Sequence, residues 1–239
     1  MAYQEVFKRY EIKYMLTQAQ KRRLLSVMEP YMALDKYGRT TIRNIYFDTD
    51  NYRLIRKSIE KPAYKEKLRI RSYSRAKPES AVFVELKKKY DDVVYKRRLA
   101  MHELDAMDWL CGGGGSGENS QIASEIDYFL KYYQTLRPTV FLSYEREAFH
   151  CRQGGDFRVT FDENILVRQE QMSLESGVWG TPILEEGMVL MEIKTSGGIP
   201  LWMTHFLTQE RLFKTSFSKY GTAYQNLIFP RLKGDNIYV

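Results

Sequence analysis

Hydrophobic and polar residues alternate with a period of two along most of the chain. The alternating stretches are separated by turn-forming residues, which is typical of strands in an antiparallel sheet. We therefore predict a mainly β protein in which helices are the minority, an α+β fold. The predicted strands lie at residues 4–14, 41–49, 63–74, 81–89, 92–100, 138–149, 156–163, 165–170 and 188–195.

Helical periodicity is limited to a few segments. Thr17 and Gln20 have the spacing of a capping box and predict a helix that reaches about Met32. A glycine-rich stretch at about residues 111–120 lacks the Lys and Ser/Thr of a phosphate-binding GxxxxGK[ST] loop. We predict that it is a flexible connector inside one domain spanning residues 1–239. Further helices are predicted at 102–110, 120–136, 200–212 and 217–228.

Each predicted strand places most of its charged residues on one face. In the stretch "VFVELKKKY", Glu85 and Lys87 alternate with Val84 and Leu86, so the two pairs point to opposite sides. Over all the strands this charged face is mostly basic, whereas a solvated face usually mixes both signs with Ser, Thr and Gln. The basic residues are Arg9, Lys13, Arg69, Arg71, Lys87, Lys96, Arg98, Arg146, Arg158 and Lys194, and the acidic residues are Glu11, Glu85, Asp162 and Glu192.

Two arrangements are compatible with this pattern. In a sandwich, the apolar faces meet in a core and the charged faces meet water. In a closed barrel covered by helices, the charged faces line a polar interior. Such a basic interior repels itself unless an anion is bound, so it predicts a polyanionic ligand. Its few carboxylates would then pair with Lys or Arg or hold a divalent cation.

Composition narrows the class of partner but not its identity. The chain has 239 residues, 44% of them hydrophobic, and a net charge of +7, which is typical of a folded protein with a polyanionic partner. Two cysteines and three histidines show no zinc-binding spacing, so oxygen ligands favour Mg²⁺ or Mn²⁺. The absence of a signal peptide pattern and of a long apolar run predicts a cytoplasmic location.

Several motifs, taken in order, resemble a known family. They are "RYEIKY", "IRNIYFDTDNYRL", "KLRIRSY", "VFVELKKK", "YKRR", "YEREAF", "RVTFDENI", "LMEIKTSGGIPLW" and "FSKYGTAY". From about residue 4 to 228 the chain resembles the VTC domain, a polyphosphate polymerase domain of the triphosphate tunnel metalloenzyme (CYTH-like) superfamily. The resemblance implies an eight-stranded antiparallel closed tunnel barrel with a polar basic interior, flanked by helices, and a divalent metal, Mn²⁺ or Mg²⁺.

The resemblance also implies the site residues. Two departures from the family pattern affect them. Arg9 stands where the triphosphatase branch has a metal-binding Glu, which favours the polymerase branch, and Ser216 stands where the family has a second helix lysine, so a substitution by Lys214 stays open. The implied catalytic residues are Arg69, Arg71, Lys87, Arg146, Arg158 and Lys219, the implied substrate-binding residues are Arg9, Glu11, Lys13, Glu85, Lys96, Arg98, Tyr144 and Lys194, and the implied metal ligand is Glu192.

The implied reaction transfers the ATP γ-phosphoryl group to a growing inorganic polyphosphate chain. Its nucleophile is already ionised, so the lack of a Ser/His/Asp constellation is expected. A hydrolase of tripolyphosphate or nucleoside triphosphates, with Glu11 or Glu85 orienting water, stays open. So does a catalytically silent module that binds polyphosphate or RNA, although no nucleic-acid-binding motif supports RNA. The expected partners are ATP and polyphosphate, and a separate membrane protein is left open.

Overall fold

The computed structural model describes residues 10–91 and 93–234. Arg9 lies outside these residues, so nothing is assigned to it. The strands are β1 (Tyr10–Thr17), β2 (Met32–Asp48), β3 (Tyr64–Ser72), β4 (Ala81–Tyr90), β5 (Val93–His102), β6 (Arg137–Cys151), β7 (Arg158–Arg168), β8 (Thr181–Pro182), β9 (Met188–Thr195) and β10 (Lys214–Thr215). The helices are α1 (Gln18–Met28), α2 (Arg53–Ile59), α3 (Glu103–Cys111), α4 (Gln121–Tyr133), α5 (Leu201–Gln209), α6 (Lys219–Ala223) and α7 (Phe229–Gly234), with a π-helical turn at Tyr224–Ile228.

The chain divides into two compact units. Unit 1 contains described residues 10–41, 144–165 and 184–217. Unit 2 contains described residues 42–91, 93–143, 166–183 and 218–234. Each unit has a hydrophobic core of its own.

In unit 1, strand β1 pairs antiparallel with β9 and β10, and β9 also pairs with β7. Alternate residues of these strands, such as Met191 and Ile193, are completely buried and pack with Leu24 of α1 and Met203 of α5. Burial of this apolar face supplies most of the driving force for the unit. The opposite face of the same strands therefore carries the polar residues.

Helix α1 begins as the sequence predicts. The Thr17 hydroxyl accepts the backbone N–H of Gln20 at 3.2 Å, and the Gln20 side chain accepts the backbone N–H of Thr17 at 2.9 Å. This confirms the capping box. The helix ends at Met28, before the predicted end near Met32, because Pro30 has no backbone N–H to continue the hydrogen bonds of the helix.

In unit 2, strands β2, β3, β4 and β5 pair antiparallel in that order. Leu68, Ile70 and Val84 are completely buried on one face of these strands. Helices α3 and α4 cover this face with Trp109 and Ile126, among others. The alternation predicted from the sequence is therefore confirmed here, with the apolar face under helices and the charged residues on the opposite face.

The antiparallel sheet with flanking helices is confirmed, but the eight-stranded closed barrel is wrong. The strands are hydrogen-bonded in the order β10-β1-β9-β7-β6-β2-β3-β4-β5, with β8 beside β7, which makes ten strands among the described residues. Over residues 10–91 and 93–234, no backbone pairing joins β5 to β10 and closes the sheet. Alternation predicts which face a side chain occupies, but it contains no information on which strands pair. Two-residue strands such as β8 and β10 are also too short to show a period.

Other differences have local causes. Strand β2 begins at Met32, well before the predicted start at residue 41. The prediction started too late because the first residues of the strand lack an apolar alternation. Strand β7 replaces two predicted strands and passes through Asn164, which has a left-handed backbone (φ 48°). Helix α2 was not predicted, because the N–H groups of its second and third residues, Leu54 and Ile55, donate to Asp48, which lies several residues upstream of the usual capping position.

Apart from Cys111, the last residue of α3, the predicted connector contains neither helix nor strand and leads directly to α4. Gly113 and Gly117 have left-handed backbone angles there, which glycine adopts without strain. The single-domain organisation stays a prediction. Among the helices described, none is long and apolar enough to cross a membrane.

Candidate functional site

Strands β3, β4 and β5 of unit 2 present a strongly basic face opposite their helices. Alternation and register place eight cationic side chains on this face, and Glu85 is the one carboxylate among them on the described residues of the three strands. We call this surface the basic face. Its cations are Lys65, Lys67, Arg69, Arg71, Lys87, Lys89, Lys96 and Arg98.

The strand register orders these residues in rows across the sheet. Lys67, Lys87 and Lys96 are cross-strand neighbours and form a row of three lysines. The next row along the strands consists of Arg69, Glu85 and Arg98. Residues two apart on a strand are separated by about 6.6 Å, so the rows follow one another at that spacing.

Glu85 is the centre of the arginine row. Its side chain is only 1% exposed. The Arg69 Nε donates to Glu85 Oε2 at 2.8 Å, and the Arg98 Nε donates to Glu85 Oε1 at 2.7 Å. The Lys96 ammonium lies 2.8 Å from Oε1, and the Arg71 Nε lies 4.0 Å from Oε2. Burial opposes the charge of Glu85, but the cations around it hold its pKa far below the usual range.

The same crowding changes the titration of neighbouring groups. Burial and the nearby guanidinium groups of Arg98 and Arg69 lower the pKa of Lys96 to about 8, although the Glu85 carboxylate opposes this change. Burial opposes ionisation of the Tyr46 hydroxyl, but Arg69 and Arg71 together lower the pKa of that tyrosine. The basic face therefore has a strong positive potential even with Glu85 present.

Helix α6 brings one more predicted residue to this face. Ser218 caps the helix by accepting the backbone N–H of Gly221 at 3.2 Å, and its hydroxyl also accepts from the Lys67 ammonium at 3.3 Å. Tyr220 stacks on Tyr46 of strand β2. Lys219 lies between these two anchored residues, and its charge contributes to the lowered pKa of Tyr46.

Unit 1 has a face of different character. Strands β1, β6, β7 and β9 place four cations and three carboxylates opposite their apolar side, and we call this surface the mixed face. The register pairs Glu11 with Lys194 and Lys13 with Glu192, so opposite charges are direct neighbours. The cations are Lys13, Arg146, Arg158 and Lys194, and the carboxylates are Glu11, Asp162 and Glu192.

Arg146 contacts two of the three carboxylates on the mixed face. Its guanidinium donates twice to Asp162, with both N···O distances at 2.6 Å, and it approaches Glu192 Oε2 at 3.5 Å. The guanidinium also lies over the ring of the buried Tyr144, 5.1 Å from its centroid. Burial opposes the charge of Arg146, but Tyr144, Asp162 and Glu192 raise its pKa well above the usual value. Arg146 is therefore a permanent cation.

The mixed face supplies donors that suit a divalent cation. Glu192 has three cations around it, with Lys194 at 3.5 Å and Lys13 at 3.8 Å besides Arg146. Its cross-strand neighbour Thr160 is 7% exposed, and the buried Thr160 hydroxyl has no hydrogen-bond partner. Within residues 10–91 and 93–234, no three His, Cys, Asp or Glu side chains converge into a metal cluster. Mg²⁺ commonly takes only one or two carboxylates together with water and substrate phosphates, so these donors fit such an ion.

The structure brings the predicted residues together in two groups. The basic face collects seven of them, whereas the mixed face and Tyr144 account for the rest, apart from Arg9. Lys65 and Lys67 were missed, although they continue the period of Arg69 and Arg71 and were detectable in that way. Tyr46 was also missed, because only the strand register shows it beside Arg69. The seven are Arg69, Arg71, Glu85, Lys87, Lys96, Arg98 and Lys219.

Comparisons with solved structures show the same fold. An adenylyl cyclase-like protein from Hippeastrum, described with a dominant triphosphatase activity, is 15% identical, with 90% of this chain and 94% of that chain covered and a TM-score of 0.57. An adenylate cyclase-like protein from Bacillus halodurans is also 15% identical, with the same coverage and a TM-score of 0.53. One from Vibrio parahaemolyticus is 13% identical, with 92% and 98% covered and a TM-score of 0.51.

Sequence comparisons identify the family. Curated proteins gave no match. The VTC domain, in contrast, matches residues 8–228, which include every strand and all the predicted site residues. The chain belongs to the VTC domain family.

Proposed function

We propose that this protein is a polyphosphate polymerase, which transfers the γ-phosphoryl group of ATP to a growing inorganic polyphosphate chain. The observation that carries the proposal is the basic face, where three strands present eight cations and one carboxylate. Membership of the VTC domain family supports the same reaction. A surface with this charge requires a ligand with several negative charges, because single anions neutralise too little of it.

The length of the basic face fits an extended phosphate chain. Its rows begin at Lys65 and Lys89, continue through the lysine row and the arginine row, and end at Arg71. Four rows at about 6.6 Å extend over roughly 20 Å along the strands. A linear chain of several phosphates matches such a track, whereas orthophosphate would occupy one row. Arginine offers paired donors to phosphate oxygens, and lysine offers a mobile point charge.

The proposal assigns the divalent cation, Mn²⁺ or Mg²⁺, to Glu192 on the mixed face, with the orphaned Thr160 hydroxyl as a further donor. When bound, such an ion neutralises charge on the transferred phosphoryl group and its oxygens. The guanidinium groups of Arg146 and Arg158 lie on the same face and would bind phosphate oxygens. Arg158 is exposed and opposite Lys194 in the register, so its guanidinium is accessible to an anion.

The chemistry needs positioning more than proton transfer. The terminal oxygen of a polyphosphate chain is ionised at neutral pH and attacks the γ-phosphorus in line, so that the bond to the ADP leaving group breaks. Cations in contact with the transferred group stabilise its charge. No base is needed. Glu85 is also unsuited to be one, because its buried carboxylate is held in ion pairs.

A second candidate is a hydrolase that splits triphosphates with water. One observation favours it, namely the triphosphatase activity described for the Hippeastrum protein with the same fold. Water attack benefits from a carboxylate that orients the nucleophile. Glu11 is exposed on the mixed face and is the best placed candidate, since Glu85 and Asp162 are buried.

The two reactions differ in their products. Purified protein is incubated with γ-labelled ATP and Mn²⁺, and label is followed in free phosphate and in long-chain polymer. We expect the label to enter polymer together with one ADP per phosphoryl group. Label in free phosphate alone would instead support the hydrolase, and neither product with retained polyphosphate binding would support a silent binding module.

The matched variants for this assay are Lys87→Met and Lys88→Met. The two lysines are adjacent on strand β4 but point to opposite faces, and Lys88 pairs with Glu125 at 3.2 Å on the helix side. We expect polymer synthesis to fall only in Lys87→Met. The proposed location is the cytoplasm, and the proposed ligands are ATP and polyphosphate, with a separate membrane protein as a possible route for the product.

A further inference from the structure

The carboxylate of Glu85 lies beneath the cations of the basic face. Its side chain is 1% exposed, whereas those of Arg69, Arg98 and Lys96 are 21%, 33% and 44% exposed. The cations therefore contact Glu85 on their buried side and solvent on the other. Both carboxylate oxygens are already used, because Oε2 binds Arg69 and Oε1 binds Arg98 and Lys96.

This arrangement has two electrostatic consequences. Without an anion, the converging cations repel one another, and the buried carboxylate offsets that repulsion. When a phosphate anion binds to their exposed side, the same carboxylate repels it through the low-dielectric sheet. Glu85 therefore stabilises the protein without ligand and destabilises the complex with phosphate. Both effects lower the affinity of the face for phosphate.

We propose that Glu85 is an internal counter-ion, which keeps the basic face assembled when it is empty and limits how tightly phosphate anions are held there. It is a positioning residue that sets affinity, and not a ligand of the substrate. The inference rests on the proposed phosphate binding at this face. Its functional consequence is release, because a chain that advances during synthesis must not be held too tightly.

The test compares Glu85→Gln with the wild type by calorimetric titration with tripolyphosphate, without ATP or metal. We expect the melting temperature of the variant to fall in the absence of anions. We also expect its dissociation constant for tripolyphosphate to fall at least tenfold, so that saturating tripolyphosphate raises its melting temperature more than that of the wild type. A dissociation constant that is unchanged or larger contradicts the proposal.

Glu163→Gln is the matched control. Glu163 is another nearly buried carboxylate, and it pairs with Lys21 and, at 3.3 Å, with Arg39 in unit 1. Its loss should also lower the melting temperature, because two cations lose their partner. Tripolyphosphate should stabilise this variant only as much as the wild type. Equal extra stabilisation of both variants would mean a general response to lost charge and would overturn the assignment to Glu85.

Two further results keep the test decisive. If Glu85→Gln does not fold without anions, tripolyphosphate should restore its near-UV circular dichroism, and failure to do so contradicts the proposal. Glu85→Gln combined with Arg98→Gln removes an anion and a cation together, so its melting temperature should lie above that of the single variant. Because no turnover is measured, a protein that binds tripolyphosphate but makes no polymer fails the proposed function and not this inference.

Discussion

The basic face of unit 2 and the mixed face of unit 1 are built by the same strand alternation but differ in their balance of positive and negative side chains. On the basic face eight cations accompany one carboxylate. On the mixed face four cations are interleaved with three carboxylates, and the register places Lys13 opposite Glu192 and Glu11 opposite Lys194. The first surface has a large excess of positive charge, whereas the second is nearly neutral by itself.

The difference in charge suits the two faces to different ligands. A surface with a large positive excess binds a polyanion through charge, with affinity that depends on salt. A surface in which carboxylates and cations alternate is held by its own ion pairs and keeps donors for a divalent ion. The same alternation therefore yields a strongly basic surface or a nearly neutral one, depending on which residues occupy the polar positions, and we propose that the first binds phosphate and the second a divalent cation.

The largest expected effect on the mixed face comes from replacing Arg146, which pairs with its carboxylates. Arg146→Gln leaves Asp162, which is completely buried, without its bidentate partner. We expect a loss of about 3 kcal/mol in the free energy of unfolding, because an uncompensated buried charge is costly. Urea denaturation measures this loss. Arg158→Gln, which changes an exposed arginine on the same strand face, should change stability by less than about 0.5 kcal/mol.

On the basic face, the expected effect is on ligand affinity. Arg69→Gln removes paired charge-assisted donors, so the dissociation constant for tripolyphosphate should rise about 30-fold, corresponding to roughly 2 kcal/mol. Calorimetric titration measures it. Arg97→Gln is the control, since Arg97 lies on the opposite side of strand β5 and contacts Glu125 at 3.3 Å. Equal weakening in both variants would show that charge on either side of the sheet attracts the ligand.

The Glu192→Gln variant tests whether metal binding and phosphate binding depend on different faces. It should raise the Mn²⁺ concentration for half-maximal turnover by roughly tenfold, because the proposed metal ligand is lost. Tripolyphosphate binding in the absence of metal should not weaken, since the basic face is untouched. A metal response equal to that of the wild type would remove Glu192 from the cation site.

The smallest expected effect concerns pH. The pKa of Lys96 is about 8, so its ammonium is protonated below that pH and neutral above it. The charged form attracts phosphate, so affinity is highest below pH 8 and falls as the pH rises. Between pH 7 and 9 we expect the dissociation constant for tripolyphosphate to increase about threefold. The Lys96→Met variant should show a flatter profile, and identical profiles would exclude Lys96 as the titrating group.

Much of the architecture was predictable because period-two alternation directly reports the face on which a residue lies. It placed Arg69 and Arg71 opposite Leu68 and Ile70, as the structure confirms. Alternation does not encode strand pairing, so closure was predicted wrongly from the family resemblance. Helix α2 was not predicted because the carboxylate that accepts its N–H groups belongs to Asp48, the last residue of strand β2.

The site was predictable as a set of residue types, but not as a set of contacts. Lys96 and Arg98 were predicted as cations of one face, yet their convergence on Glu85 depends on the cross-strand register. The same holds for Tyr46, which the register places beside Arg69. Local sequence determines which side chains share a face, and only the pairing of distant strands determines which of them touch.

The most direct test of the central claim is the binding of long-chain polyphosphate to the Lys87→Met and Lys88→Met variants at one ionic strength. Both substitutions remove one positive charge from adjacent positions of strand β4. If the basic face binds the chain, affinity falls several-fold in Lys87→Met and stays at the wild-type value in Lys88→Met. Equal affinities of the two variants, whether both lowered or both unchanged, would contradict the assignment of polyphosphate binding to this face.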